Sequence, residues 1–180
     1  MKKIVIRIRR FFRSRPLLKN MGGFGMLFVG AEWTQQTLLK KVWKVDPDPK
    51  YDMEAFKRYS FFGVLWYPVI YHHWYKWLDV RFVGTGVATV GKKIFLDQFV
   101  MEPPLLIAFY VGMSIMEGRE DVLKECKEKF ITTFVSGCVF WLPAMAINFY
   151  LLPSSLRVIF VGVCSFLWCN FICWYKKQPA

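Results

Sequence analysis

Three long stretches of the chain carry no formal charge, and they limit the folds open to it more than any other feature. They cover residues 59–75, 131–152 and 158–175, which are 17, 22 and 18 residues long. As helices they would measure about 25, 33 and 27 Å, close to the ~30 Å hydrocarbon core of a bilayer. With 55% hydrophobic residues among 180, the chain is too apolar for one small water-soluble domain. We therefore predict an all-α integral membrane protein.

Two further segments, residues 17–39 and 94–116, are apolar but interrupted. The first contains Glu32 and two glutamines, which would be costly against lipid, and the second contains Pro103-Pro104, where we expect a kink. The sequence thus predicts a bundle of four or five transmembrane helices within a single domain, residues 16–175. Its spans are about 17–39, 59–75, 94–116, 131–152 and 158–175. A short basic tail, residues 176–180, follows.

Residues 1–15 precede this domain and hold seven basic side chains and no acidic one. On a helix their apolar residues share one face, so we predict a basic amphipathic N-terminal helix. Such a helix serves either at a membrane surface or as a mitochondrial import signal. The net charge of +12 lies mainly outside the apolar runs, which favours a bilayer with anionic lipids as partner and gives no reason to expect nucleic-acid binding.

The sequence offers no recognisable catalytic or cofactor chemistry. The five cysteines have no CxxC or zinc spacing, and His72 and His73 are adjacent, so they point about 100° apart on a helix and are poorly placed to share a metal. Cys169 and Cys173 share a helical face, but thiols in an apolar run react slowly. We expect no enzyme activity, no metal and no cofactor.

Polar side chains within or beside the apolar segments are the candidate functional residues. Such groups generally face the bundle interior and sometimes line an ion or solute path, while ordinary hydrogen bonding between helices is the alternative. The candidate pore or bundle residues are Glu32, Gln36, His72, Asp97, Gln98, Asn148 and Arg157.

Two connections between spans are also interpretable. Residues 118–130 are strongly charged with apolar groups on one side, which predicts a short helix outside the membrane and, as an alternative function, an adaptor surface for a mitochondrial protein. Pro153-Ser154-Ser155 separates the last two apolar runs and predicts a helical hairpin there.

Motifs along most of the chain, from about residue 16 to 175, resemble the Mpv-seventeen and peroxisomal membrane protein family. The matching residues are Ala31-Glu32, Gln35-Gln36, Gly63, Pro68, His72, Trp74-Tyr75, Leu78-Asp79, Lys92-Lys93, Asp97-Gln98, Pro103, Trp141, Asn148-Phe149, Pro153 and Arg157. The chain departs from the family at Leu142, where proline is usual, and at Met145, where glutamine is common. Residues 109–115, 166–168 and 171–173 resemble one branch of the family in particular.

The resemblance implies a four-span protein of the mitochondrial inner membrane or, alternatively, the peroxisomal membrane. It further implies a part in reactive-oxygen metabolism and mitochondrial DNA maintenance, with weakly selective small-solute channel activity proposed for relatives. The alternative it allows is a non-conducting adaptor that recruits a quality-control protease or the mitochondrial ribosome. Homo-oligomers are compatible with both functions.

Overall fold

The computed structural model describes residues 16–42, 50–84, 86–152 and 154–178, and their regular structure is entirely helical. The all-α prediction is confirmed. The N-terminal amphipathic helix predicted for residues 1–15 lies outside the described residues.

Within the described residues, seven α-helices and three π-helical turns join into five continuous helical runs. The helices are α1 (Pro16–Thr37), α2 (Met53–Phe61), α3 (Tyr67–Arg81), α4 (Val87–Leu96), α5 (Glu102–Met116), α6 (Lys124–Tyr150) and α7 (Ser154–Lys177). The π turns, Leu38–Val42, Phe62–Trp66 and Asp97–Met101, extend α1, join α2 to α3 and join α4 to α5. The chain forms two compact units, residues 1–79 and 80–180.

In the first unit, α1 packs against the run formed by α2 and α3 through glycines. A Cβ on Gly25 would lie 2.7 Å from Val64 Cγ2, and one on Gly63 would lie 2.7 Å from Phe28 Cβ and 2.9 Å from Phe24 O. Only glycine permits this close approach of the two backbones. Gly63 also lies within the π turn, so the tightest contact coincides with the local widening of that helix.

Stacked rings continue this contact along α3. Tyr67, Tyr71 and Tyr75 recur at every fourth residue, with ring centroids 6.0 and 5.6 Å apart. Phe28 stacks on Tyr67 at 5.2 Å, and Phe24 stacks on Tyr71 at 5.5 Å. These stacked rings therefore contribute to helix packing within this unit.

In the second unit, two consecutive prolines are accommodated without ending the helical run. Pro103 and Pro104 occupy the first turn of α5, where a missing N–H costs little. The π turn Asp97–Met101 directly precedes them, and the N–H of Glu102 donates to the carbonyl of Asp97, five residues back. The irregularity expected at the prolines thus lies just before them.

A tight connection separates α5 from α6. Gly118 adopts the left-handed conformation, φ +67°, and ends α5, with Gly118 N donating to Ile115 O and Arg119 N to Ser114 O. The Asp121 carboxylate accepts the N–H groups of Leu123 and Lys124 and so caps the start of α6. The prediction of a separate short helix at residues 118–130 is therefore wrong, because its second half forms the first turns of α6.

The last two helices pack as an antiparallel hairpin. Phe140 of α6 stacks on Trp168 of α7 with centroids 5.6 Å apart, and Gly137 leaves room for the same indole. By length and composition, two runs among the described residues qualify as membrane spans, Val87–Met116 and Lys124–Asn148. The count of four or five spans remains a prediction.

Replacing Gly63 by alanine should destabilise the first unit by about 1–3 kcal/mol, because the new methyl group must displace the Phe28 side chain or the backbone carbonyl of Phe24. Gly22→Ala is the matched control, since nothing lies within 4 Å of its added Cβ. Thermal unfolding in detergent checks both variants. Equal melting temperatures for the two would contradict the glycine contact.

Candidate functional site

In the first unit, Glu32 and Gln36 lie one helical turn apart on α1 and are both buried. Gln36 Nε2 donates to Glu32 Oε1 at 2.7 Å and to the backbone carbonyl of Asp52 at 3.1 Å. Gln36 Oε1 accepts the backbone N–H of Asp52 at 2.8 Å. The Asp52 carboxylate in turn caps α2 by accepting the N–H of Ala55. The Gln36 amide therefore fastens the start of α2 to α1, which is a structural role.

Gln35 differs from its neighbour although it is equally buried. Its side chain is 3% exposed, and neither its amide oxygen nor its amide nitrogen forms a hydrogen bond with a described residue. A buried amide without partners costs about 1–3 kcal/mol, so water or a polar solute is expected to satisfy it. The resemblance had included Gln35, but the candidate set chosen from the sequence did not.

His72 lies half-buried on α3, with its ring 5.5 Å from that of the exposed His73. The two rings are nearly perpendicular, at 79°. Within the described residues, no group of three or more His, Cys, Asp or Glu side chains could hold a metal ion.

In the second unit, the buried face of α6 is polar or small along its length. Buried residues four apart, or in one case seven apart, make up this inner stripe: Glu125, Lys129, Thr133, Gly137, Ala144 and Asn148. The opposite face is apolar, and Ile131, Val135 and Val139 are each more than half exposed. This distribution is the reverse of a water-soluble helix and suits a helix with lipid outside and polar contacts inside.

Hydrogen bonds connect the inner stripe to α5. Thr133 Oγ1 donates to Lys129 O at 2.9 Å and lies 2.7 Å from the Tyr110 hydroxyl, from which it accepts. One turn from Tyr110, the buried Ser114 Oγ has no hydrogen-bond partner among the described residues. The Asn148 side-chain oxygen, also buried, lacks one as well. The stripe therefore contains both satisfied and unsatisfied polar groups.

The remaining predicted residues occupy different positions in this unit. Gln98 is buried and its Nε2 donates to Cys138 Sγ at 3.5 Å, which joins the π turn to α6. Asp97 lies half-buried at the start of that turn. The backbone of Arg157 lies in α7, but the structure does not describe its side chain. Among these candidate residues, a hydrogen bond thus joins Glu32 with Gln36, whereas Gln98 binds Cys138.

A buried charge network at one end of the second unit was missed by the sequence analysis. Lys129 Nζ lies 3.0 Å from Glu125 Oε1, and Lys176 Nζ lies 2.7 Å from Glu125 Oε2 and 3.0 Å from Glu117 Oε1. Arg119 Nε binds Glu117 Oε2 at 2.7 Å. We call Glu117, Arg119, Glu125, Lys129 and Lys176 the charge network.

The charge network shifts the ionisation of its outer members. Partial burial raises the pKa of the Glu117 carboxyl, but the hydrogen bond from Arg119 and the positive charge of Lys176 outweigh it, so the pKa lies below the ordinary 4.5. The same hydrogen bond raises the pKa of the Arg119 guanidinium. Both side chains are therefore charged at neutral pH.

Only part of the charge network could have been found from the sequence. Glu125 and Lys129 have the i, i+4 spacing of a helical ion pair. Their burial depends on Lys176, which is 47 residues beyond Lys129, and a lysine near an apolar run is ordinarily taken to face water.

Replacing Gln36 by leucine should destabilise the protein by about 1–3 kcal/mol, because the buried Glu32 Oε1 and the backbone N–H and carbonyl of Asp52 all lose the Gln36 amide as partner. Gln35→Leu should be neutral or stabilising, since it removes a buried amide that no described residue binds. Thermal unfolding of both variants in the same detergent measures the difference. A larger loss for Gln35→Leu than for Gln36→Leu would contradict these roles.

Comparison with known proteins yields a consistent family. The model of the Mpv17 / PMP22 family matches residues 114–173. An Mpv17-like protein of Xenopus laevis is 31% identical over 169 residues, covering 94% of this chain and 81% of its own length. Peroxisomal membrane protein 2 of Bos taurus is 25% identical, with 91% and 84% covered, and protein SYM1 of Candida albicans is 28% identical, with 96% of each covered. No solved structure matches the chain.

These relatives agree with the predicted class and location. They support an organelle membrane protein, and they include peroxisomal membrane protein 2 as well as mitochondrial inner membrane proteins of the SYM1 and Mpv17-like type. Mpv17-like proteins are also the branch that residues 109–115 resemble. Because the Xenopus relative shares 31% identity over almost the whole chain, this protein belongs to the Mpv17 / PMP22 family.

Proposed function

We propose that this organelle membrane protein provides a weakly selective path for small polar solutes and thereby influences reactive-oxygen metabolism and homeostasis in mitochondria or peroxisomes. One observation carries the proposal, namely the inner stripe of α6. A candidate membrane span that buries Thr133, Gly137 and Asn148 while exposing valine and isoleucine has its polar groups where a solute path would need them.

Buried polar atoms without a hydrogen-bond partner favour the solute path over the structural alternative, in which polar groups only bond one helix to another. Thr133 is fully used by its bonds to Tyr110 and Lys129, as the structural alternative requires. Ser114 Oγ and the Asn148 side-chain oxygen are buried without a hydrogen-bond partner among the described residues. The same holds for the side-chain amide of Gln35 in the first unit. Leaving such atoms dry is unfavourable, so their retention favours water or solute beside them.

The chemistry of the stripe suggests low selectivity. Hydroxyl and amide groups accept and donate hydrogen bonds, so they can replace the hydration of many small polar molecules. At Gly137, in the middle of the stripe, the Trp168 ring occupies the space beside the glycine, 3.4 Å from where a Cβ would lie. Solute size should therefore limit passage more than charge does.

Swelling of liposomes containing the purified protein, in isosmotic glycerol, glucose or sucrose, tests the path. Asn148→Leu should slow the swelling about fivefold or more, the effect of adding roughly 1 kcal/mol to a barrier when a polar contact is lost. Thr133→Val should act in the same direction. Thr132→Val is the matched control, because Thr132 is next to Thr133 in the chain but its side chain is exposed on the outer side of the same helix.

The adaptor function is the alternative, and an exposed charged surface at one end of α6 favours it. The exposed residues there are Arg119, Glu120, Asp121, Lys124, Lys127 and Glu128. A mitochondrial protein partner would bind this surface by charge complementarity. Liposomes that fail to swell at verified protein density would refute the path and favour the adaptor.

A further inference from the structure

The side chain of Lys129 binds the carboxyl-terminal end of the last helix. Its Nζ donates to Lys176 O at 2.8 Å, to Gln178 O at 2.6 Å and to Glu125 Oε1 at 3.0 Å. These three acceptors use all three N–H groups of an ammonium. The first carbonyl lies in the last turn of α7 and the second directly after it, where a positive charge is also favoured by the helix dipole.

Lys176 adds a second connection at the same place. Its ammonium reaches Glu125 on α6 and Glu117 just after α5, so one side chain joins the ends of three helices. The Tyr175 ring lies 5.8 Å from Lys129 Nζ and covers that ammonium from another side. Both lysines are less than 5% exposed, so this end of the unit is closed by charged groups that water does not reach.

The position of these contacts on α6 gives them a functional meaning. Glu125 and Lys129 are the first two members of the inner stripe, and Thr133 of the same stripe donates to the backbone carbonyl of Lys129. The end of α7 is therefore attached directly over the first turns of the stripe. We propose that residues 176–178 form a gate at this end of the solute path, held closed by Lys129. This inference rests on the proposed function.

The charges explain how such a gate could move as a unit. The charge network holds three basic and two acidic side chains, a surplus of one positive charge. If the end of α7 moves away, Lys129 keeps Glu125 on its own helix, and Lys176 keeps no partner on α6. Opening therefore breaks the bonds between helices while leaving Lys129 and Glu125 paired, which avoids isolating a buried charge.

Lys129→Met should open the gate, because methionine retains most of the length of the side chain but cannot bind the two carbonyls. We expect solute-driven swelling of liposomes to be faster than wild type by about tenfold, the change that corresponds to about 1.4 kcal/mol in an open–closed equilibrium. Lys127→Met is the matched control, since Lys127 lies on the same helix but is exposed, and it should behave as wild type.

Lys129→Met leaves Glu125 without one of its buried partners, so a second variant guards against misfolding. Glu125→Gln combined with Lys129→Met removes both charges and retains an amide that can bind Lys176. Cleavage by trypsin after Lys177, at the end of α7, gives a readout that does not depend on solute flux. Both variants should lose residues from this end faster than wild type and the Lys127 control.

The outcomes separate the gate from the path. Swelling of wild type with no acceleration in either Lys129 variant would overturn the gate and leave the path standing. Faster swelling together with faster digestion in the double variant, and neither in the control, supports the gate. No swelling from any variant, including wild type, would refute the path and the gate with it, whatever the digestion shows.

Discussion

The arrangement of this protein depends on where buried polar groups find partners in a helical unit whose outer surface is apolar. Helix α6 shows the constraint most clearly, because isoleucine and valine occupy its exposed face while threonine, asparagine and charged residues are buried. In water the opposite distribution would be favoured, and in lipid every inward polar atom needs a bond within the protein or a trapped water. The family relationship independently identifies an organelle membrane protein, which explains the inverted pattern.

Partners are supplied in two different ways. Some polar groups bind the end of a neighbouring helix, as Gln36 of α1 binds the start of α2 and Lys129 of α6 binds the end of α7. Others, on Gln35, Ser114 and Asn148, retain atoms that no described residue satisfies. The first kind of contact fixes helices relative to their neighbours within each unit. The second kind is the basis for the proposed solute path.

The helical class could be predicted from the sequence because uncharged runs longer than a soluble core helix leave few alternatives. Boundaries were less accurate where charge was taken as a sign of exposure. The predicted fourth span begins at residue 131, whereas the helix that contains it, α6, begins at Lys124, because Glu125 and Lys129 pair with each other and Glu125 also pairs with Lys176 of α7. The π turn before Pro103 is a second example. It depends on how the helical run of α4 and α5 accommodates the two missing N–H groups of the prolines, which a residue pattern does not specify.

The candidate site was predictable to a similar extent. Burial of Glu32, Gln36, Gln98 and Asn148 agrees with the expectation that polar residues in apolar runs face inward. Gln35 and Gln36 are adjacent and chemically identical, yet Gln36 binds the backbone of Asp52 at the start of α2 and Gln35 has no partner among the described residues. That difference is set by Asp52, 16 residues beyond Gln36, and so by tertiary packing rather than by local sequence.

Reaction of single cysteines with a charged, water-soluble thiol reagent would test the central claim about α6 most directly. The five natural cysteines would first be replaced, and cysteine would then be placed in turn at Thr133, Gly137 and Asn148 on the inner stripe and at Val135 and Val139 opposite. With the protein in membranes, a solute path predicts labelling at the inner positions and protection at the outer, lipid-facing ones. Protection at all five positions would show a dry helix contact, and labelling confined to the outer positions would contradict the membrane-facing assignment itself.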